Sequence, residues 1–360
     1  MSLLNLYEFE IAAREKLQST AFDYYAGGAG DEITLKENHQ AYDRIKLKPR
    51  ALVNVAQRSL RTRVLNQEIA LPVLVAPMAF QGMAHEDGEL ATIRAAHAAG
   101  TIMIASTLST VSIEDIVKAA AGSQVWFQLY AYKDRDLTKA LVDRAAAAGC
   151  SALVLTVDAP VQGKRERDAR NRFQLPPNLV MKNLVGAGFE KFPKAEGSGL
   201  AAYINSLFDA SFTWSELQWL RSVTKLPIVV KGVMCAEDAM LALEHGASAI
   251  VVSNHGGRQL DTAPATIEVL PEVAFAVEGK IEVYVDGGIR RGTDILKALA
   301  HGAKAVLLGR PVLWGLAVDG ENGVKHVLDI LRDELDIAMG LCGCAKIRDA
   351  GNNVLYAKHK

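Results

Sequence analysis

The stretch VVSNHGGRQLD, residues 251–261, leaves an apolar run and at once presents a histidine, two glycines, an arginine and an aspartate. An imidazole titrates near neutral pH, so His255 can act as a general base. Arg258 carries a planar fork suited to a carboxylate. Gly256 and Gly257 allow a sharp turn and the close approach of a flat ligand. Asp158, in LTVDAP, can hold the charged form of His255. Lys231, closing PIVVKG, has two readings: a Schiff-base nucleophile, as in an aldolase, or a cation that stabilises negative charge on a cofactor ring. A solvated surface turn would explain any one of these residues. His85, His97, His245 and His301, in or beside helical patterns, are read that way.

The elements that must position these groups repeat. Helical segments end in a small residue and glycine, and an apolar strand follows: AAGTIMIAS, AAGCSALVLT, HGASAIVVS and HGAKAVLLG. Gly100, Gly149, Gly246 and Gly302 are therefore expected at helix C-termini with positive φ. Eight strands are expected at 72–77, 102–106, 125–130, 152–158, 227–232, 249–254, 283–288 and 305–310. Helical patterns fall at 86–98, 112–120, 135–148, 213–222, 236–245 and 292–300. Strands alternating with helices pair in parallel, and eight such units fit a closed (β/α)8 TIM barrel. A doubly wound open sheet lacks support, because no G-x-G-x-x-G follows the first strand.

The chain reads as one domain: an N-terminal helical cap over 1–70, the barrel over 71–315, and a C-terminal helix and tail over 316–360. Residues 159–212 interrupt the fourth unit. Their glycine- and charge-rich middle, 185–199, sits where a lid would, although a tolerated surface excursion has the same composition.

Barrel chemistry sits where strands end. The ends here carry Pro77, Met78 and Ala79; Ser106; Gln128 and Tyr130; Thr156 and Asp158, with Arg165 beyond; Lys231; Ser253, His255 and Arg258; Asp286, Gly287 and Gly288, with Arg290 beyond; and Gly309 and Arg310. DGGIRRGTD followed by GRP resembles a phosphate cradle, with the N–H groups of the helix after Arg290 facing an anion.

Composition excludes several classes of function. Lysine plus arginine number 40 and aspartate plus glutamate 41, for a net charge of −1, which argues against nucleic acid or an anionic membrane as partner. The thiols Cys150, Cys235, Cys342 and Cys344 form neither a disulfide framework nor a zinc pattern, and fit a reducing cytoplasm. No apolar signal stretch, spanning segment or S-K-L ending is present, so a cytoplasmic location is expected.

SNHGGRQLD, LTVDAP…GKRERDARNRF, DGGIRRGTD, WFQLY and DYYAGGAGDE together closely resemble the FMN-dependent L-2-hydroxy acid oxidases, the group of glycolate oxidase and L-lactate oxidase. The resemblance runs from about Leu6 to Cys344. It implies bound FMN and oxidation of an L-2-hydroxy acid to a 2-keto acid, with dioxygen reduced to hydrogen peroxide. It implies that Tyr24, Arg165 and Arg258 hold the substrate carboxylate, His255 is the base with Asp158 as its partner, and Tyr130 bonds the substrate hydroxyl. His255 would take either the hydroxyl proton, in a hydride route, or the Cα proton, in a carbanion route. Lys231 would lie by the flavin N1–C2 carbonyl edge. Ser106, Gln128, Thr156 and Ser253 would join it around the ring, with Pro77–Ala79 backbone near N5. Asp286, Gly287, Gly288, Arg290, Gly309 and Arg310 would hold the ribityl phosphate. Glycolate oxidases carry Thr and Trp where this chain has Met78 and Leu108, so L-lactate is expected over glycolate. Some glycolate activity should remain, since one methyl group changes selectivity only about 10–200-fold. Ala79 matches the oxidases, whereas several electron-transferring or monooxygenase relatives carry Gly there. A homotetramer, or an octamer, is implied. Glycolate oxidase, another medium-chain 2-hydroxy acid oxidase or dehydrogenase, a Schiff-base lyase on Lys231 and a non-catalytic binding or scaffold barrel are the alternatives.

Overall fold

Successive side chains of a strand face opposite sides. In this chain both sides are apolar, as in a sheet buried on both faces. The fold is described by a computed structural model covering residues 3–185 and 206–356. Eight strands, β3 (Val73–Val75), β4 (Met103–Ala105), β5 (Val125–Tyr130), β6 (Ala152–Thr156), β7 (Ile228–Val233), β8 (Ala249–Val252), β9 (Glu282–Asp286) and β10 (Ala305–Leu308), pair in parallel in chain order. β10 closes onto β3, giving the (β/α)8 TIM barrel.

Leu74, Ile104, Trp126, Val154, Val229, Val251, Tyr284 and Leu307 meet in one core, which fills the barrel. Their neighbours, such as Val75, Phe127, Leu155, Val230, Val252 and Val285, belong to the larger core beneath the surrounding helices. Six of the eight strands are shorter than the sequence suggests, because most of the polar and glycine residues read as strand ends lie just past the last sheet pairing; Val125–Tyr130 and Ile228–Val233 keep the expected six residues. The expected helix ends hold: φ is 70° at Gly100, 100° at Gly149, 80° at Gly246 and 101° at Gly302. A helix at Thr266–Val277 runs across Pro271, which hid it from the periodicity.

The N-terminal segment is only partly helical. Helices Leu6–Lys16, Ser19–Ala26 and Ile33–Arg44 are followed by a hairpin of β1 (Thr62–Val64) and β2 (Gln67–Ile69). Val64 and Ile69 join the inner core, and the Trp126 indole N–H donates to Gln67 Oε1 at 3.0 Å. The hairpin therefore plugs the end of the barrel where the strands begin. The helix Ser19–Ala26 lies at the other end, held by Phe22 stacked on Trp314 at 5.1 Å. The final helix, Arg310–Leu341, starts directly after β10 and is broken at Asp319 and Gly320. The 185–199 stretch read as a lid lies, beyond Val185, outside the described residues.

Candidate active site

Stepping two residues along a strand keeps a side chain on the same face. The inward face of β5 runs Trp126, Gln128, Tyr130. That of β6 runs Val154, Thr156 and on to Asp158. β7 runs Val229, Lys231, and β9 runs Tyr284, Asp286. Polar groups thus continue the inward parity of the barrel core and surface where the strands end. Gln128, Tyr130, Thr156, Lys231 and Asp286 line one cavity there. Tyr24, Pro77, Met78, Ala79, Ser106, Leu108, Arg165, His255, Arg258, Gly287, Gly288, Arg290, Gly309 and Arg310 line it too.

Two expected site residues stand behind this wall. Asp158 Oδ1 lies 2.8 Å from His255 Nδ1. Ser253 is fully buried, and its hydroxyl accepts from Lys231 Nζ at 3.0 Å and from the His255 N–H at 3.2 Å. Ser253 therefore supports Lys231 and His255 from behind the residues that line the cavity.

His255 sits at φ 57°, a left-handed conformation that a non-glycine residue adopts only when its surroundings enforce it. Burial depresses its pKa below the ordinary value, against the pull of Asp158, so the imidazole is neutral at neutral pH. Burial alone would raise the Asp158 carboxyl, but His255 and Lys231 outweigh it and hold Asp158 ionised. Burial would likewise lower Lys231, yet Asp286, at 3.4 Å, and Asp158 raise it, so it stays protonated. That is the opposite of what imine formation requires, and the Schiff-base reading of Lys231 loses its support.

The anion-binding end is built differently from the sequence expectation. The backbone N–H groups of Arg290 and Arg291 both donate to Asp294 Oδ2 at 3.0 Å, and that of Gly292 donates to Glu334 Oε2 at 2.8 Å. The helix after β9 thus caps its own N-terminus with carboxylates and does not offer it to an anion. The helix that starts at Arg310, with Gly309 as its N-cap and no side-chain cap, is the one placed to do so. The Arg310 guanidinium donates to the carbonyls of Tyr25, Gly256 and Gly27. Arg258 donates to Tyr24, Tyr25 and Gly27 carbonyls. These two arginines cap the C-terminal end of the helix Ser19–Ala26 and so fix Tyr24, whose ring lies 5.1 Å beneath the Arg258 guanidinium. Burial and the neighbouring Arg258, Arg290 and Arg165 push Arg310 down to about 9. Burial and Arg258 push Arg165 down to about 10.

Arg290 is buried and Arg165, Arg258 and Arg310 are half-buried around it; like charges gathered so closely call for an anion. Arg290 Nε and Asp286 Oδ1 are buried with no protein partner. A phosphate suits the first and a sugar-like hydroxyl the second. Next to them, Ser106, Gln128 and Thr156 form a polar row, Gln128 Oε1 accepting from Ser106 at 3.2 Å and its Nε2 donating to Thr156 at 3.1 Å. With Lys231 beyond, this row matches the edge of a flat heterocycle. The residues present fit a phosphorylated flavin.

The family model for FMN-dependent dehydrogenases matches residues 13–357. This chain belongs to that family. It is 56% identical to the L-lactate oxidase of Nostoc sp., over 99% of this chain and 98% of that protein. It is 52% identical to glycolate oxidase 3 of Oryza sativa subsp. japonica, over 98% of this chain and 95% of the relative. A mandelate oxidase crystal structure superposes with a TM-score of 0.91 at 43% identity, covering 99% of both chains. The chain is thus an FMN-dependent enzyme standing among 2-hydroxy acid oxidases.

Several residues in or around the cavity escaped the sequence reading. Gln259 lines the cavity and clips two loops, its Nε2 donating to the Asp158 carbonyl at 2.7 Å while its Oε1 accepts from Gly163 N–H at 3.2 Å. Phe173 stacks on Tyr24 at 4.4 Å, and Phe208 stacks on Tyr130 at 4.2 Å. Asp261, last in the opening stretch, accepts from the Asp31 and Thr34 N–H groups at 2.9 Å and caps the helix Ile33–Arg44. Of these, Gln259 and Asp261 stood beside His255 in sequence; the aromatic pairs carried no sequence signal.

Proposed function

We propose that the protein oxidises L-2-hydroxy acids to 2-keto acids, preferring L-lactate and yielding pyruvate, with dioxygen reduced to hydrogen peroxide. The observation that carries this reading is one cavity lined by His255, with Asp158 bonded behind it, by the Tyr24–Arg258 pair and by the protonated Lys231.

The substrate carboxylate pairs with Arg258, assisted by Tyr24 and Arg165. Tyr130, whose phenol is kept protonated by burial and by Asp158, bonds the substrate hydroxyl. His255, neutral before reaction, accepts a proton, and Asp158 stabilises the imidazolium that results. The same base serves a hydride route through the hydroxyl proton and a carbanion route through the Cα proton. Lys231 presents a fixed positive charge where negative charge accumulates. Ser106, Gln128, Thr156, Lys231 and Pro77–Ala79 would hold the FMN ring, and Asp286, Gly287, Gly288, Arg290, Gly309 and Arg310 its ribityl phosphate. When bound, FMN supplies the two-electron acceptor.

Met78 and Leu108, both buried against the cavity, favour a methyl-bearing substrate. Ala79 favours dioxygen as acceptor over another electron carrier. A cytoplasmic homotetramer completes the proposal; among the described residues no helix is long and apolar enough to cross a membrane.

The decisive experiment mixes the purified protein with L-lactate in a stopped-flow instrument, first without air and then with it. Rapid flavin bleaching, rapid recovery in air and peroxide formation are the expected result. Slow recovery would make it a dehydrogenase, and a higher kcat/KM for glycolate would overturn the lactate preference. Leu108→Trp should move the glycolate-to-lactate ratio of kcat/KM upward by about tenfold or more; an unmoved ratio would leave Leu108 a packing residue.

A further inference from the structure

With the carboxylate directed to Arg258 and the hydroxyl to His255 and Tyr130, the remaining substituent of the reacting carbon must face apolar lining. That lining includes Met78, Leu108 and Phe208. Phe208 belongs to the segment in which the chain returns from the long insertion, and it is 6% exposed.

Its position is built, not incidental. The ring lies 4.2 Å from that of Tyr130 at an interplanar angle of 23°, and edge-on to Tyr132 at 5.6 Å. The backbone forms an antiparallel bridge with Tyr132. Lys133 N–H donates to the Leu207 carbonyl at 3.0 Å, and Asp209 N–H donates to Ala131 at 2.9 Å. Arg135 then locks the segment. It bonds Asp209 at 2.8 Å, pairs with Glu216, and lies 5.0 Å over the Phe212 ring and 5.1 Å over Trp219. With its backbone held on both sides and its ring packed against Tyr130 and Tyr132, Phe208 cannot swing aside cheaply for a larger ligand. A pocket wall that cannot yield excludes by volume.

We propose that Phe208 sets the side-chain length this enzyme accepts. By closing the pocket beside Tyr130 it admits a one-carbon substituent and refuses a long alkyl or aryl one. This assignment rests on the 2-hydroxy acid reading of the site and adds a specificity-determining residue to it.

The test uses holoenzyme with Phe208→Ala and Phe208→Leu. Anaerobic flavin reduction by L-lactate and by L-2-hydroxyoctanoate gives the ratio of second-order rate constants. Dissociation constants of pyruvate and 2-oxooctanoate, from perturbation of the flavin spectrum, give a binding readout independent of turnover. The octanoate-to-lactate ratio should rise at least about tenfold in Phe208→Ala and by less in Phe208→Leu, with 2-oxooctanoate binding tightened in the same order. Should Phe208→Ala fail to retain FMN, the Phe208→Leu ratio decides. Ratios within about twofold of wild type, with lactate still reducing the flavin, would overturn the role of Phe208. Wild-type flavin reduced by neither acid would overturn the hydroxy acid reading, and this assignment with it.

Discussion

His255 is useful only while it is neutral, and its environment is a contest between burial and Asp158. Burial wins, placing its pKa below the ordinary histidine value. Activity is therefore full above that pKa and lost as the pH falls through it. The acid limb of kcat/KM for L-lactate should lie below about 6.5, the unperturbed value. Asp158→Asn removes the charge that lifts His255, so the limb should shift to lower pH while the maximal rate drops; a limb shifted to higher pH would contradict the assigned polarity. His255→Ala should retain FMN but slow flavin reduction about 100- to 10,000-fold, the range of a positioned general base. Unchanged reduction would remove His255 from the mechanism.

Loops at the strand ends are fixed by a few close approaches. A Cβ on Gly288, which has φ 81°, would lie 1.7 Å from the Asn38 carbonyl oxygen. Only glycine lets the loop after β9 pass so near the helix Ile33–Arg44. Gly288→Ala should both weaken FMN binding and lower Tm, because loop and helix must separate; the loss of stability should exceed about 1 kcal/mol. Reconstitution of apoprotein with FMN, followed by flavin fluorescence, and a thermal melt measure the two effects. A variant with wild-type FMN affinity would show that the cradle does not depend on this contact. The same logic explains why the helix after β9 is not the anion site. Asp294 and Glu334 already occupy its N–H groups, and a phosphate there would face two carboxylates.

Across the whole molecule, one end of the barrel is plugged by a hairpin and the other is functional, so folding the barrel and building the site are one event. The outer surface carries an apolar group in which Leu52 is fully exposed and Leu341 is 64% exposed. The two segments are joined by Arg50 N–H donating to the Leu341 carbonyl at 3.0 Å. The proposed tetramer would cover these two leucines. Light scattering should return four times the 38.8 kDa chain mass, and Leu52→Asp with Leu341→Asp should lower it. A monomer mass for the unmodified protein would end the proposal.

Much of this was legible in the sequence for a plain reason. In a parallel barrel the strand period and the glycine stops are local signals, and each strand end delivers its side chains to a common mouth. Lys231, Tyr130 and Asp286 could therefore be placed by counting along their own strands, and His255 by its place in the turn just past β8. Tertiary structure alone decided what depends on residues distant in the chain. Ser253 has a supporting role because Lys231 and His255 both bond its hydroxyl. The N-terminus of the helix after β9 is already capped because Glu334, from the last helix, reaches back to Gly292. Phe208 reached Tyr130 because a return segment paired with Tyr132 across 76 positions of sequence. No local pattern records such contacts, since they arise only when separate elements share one surface.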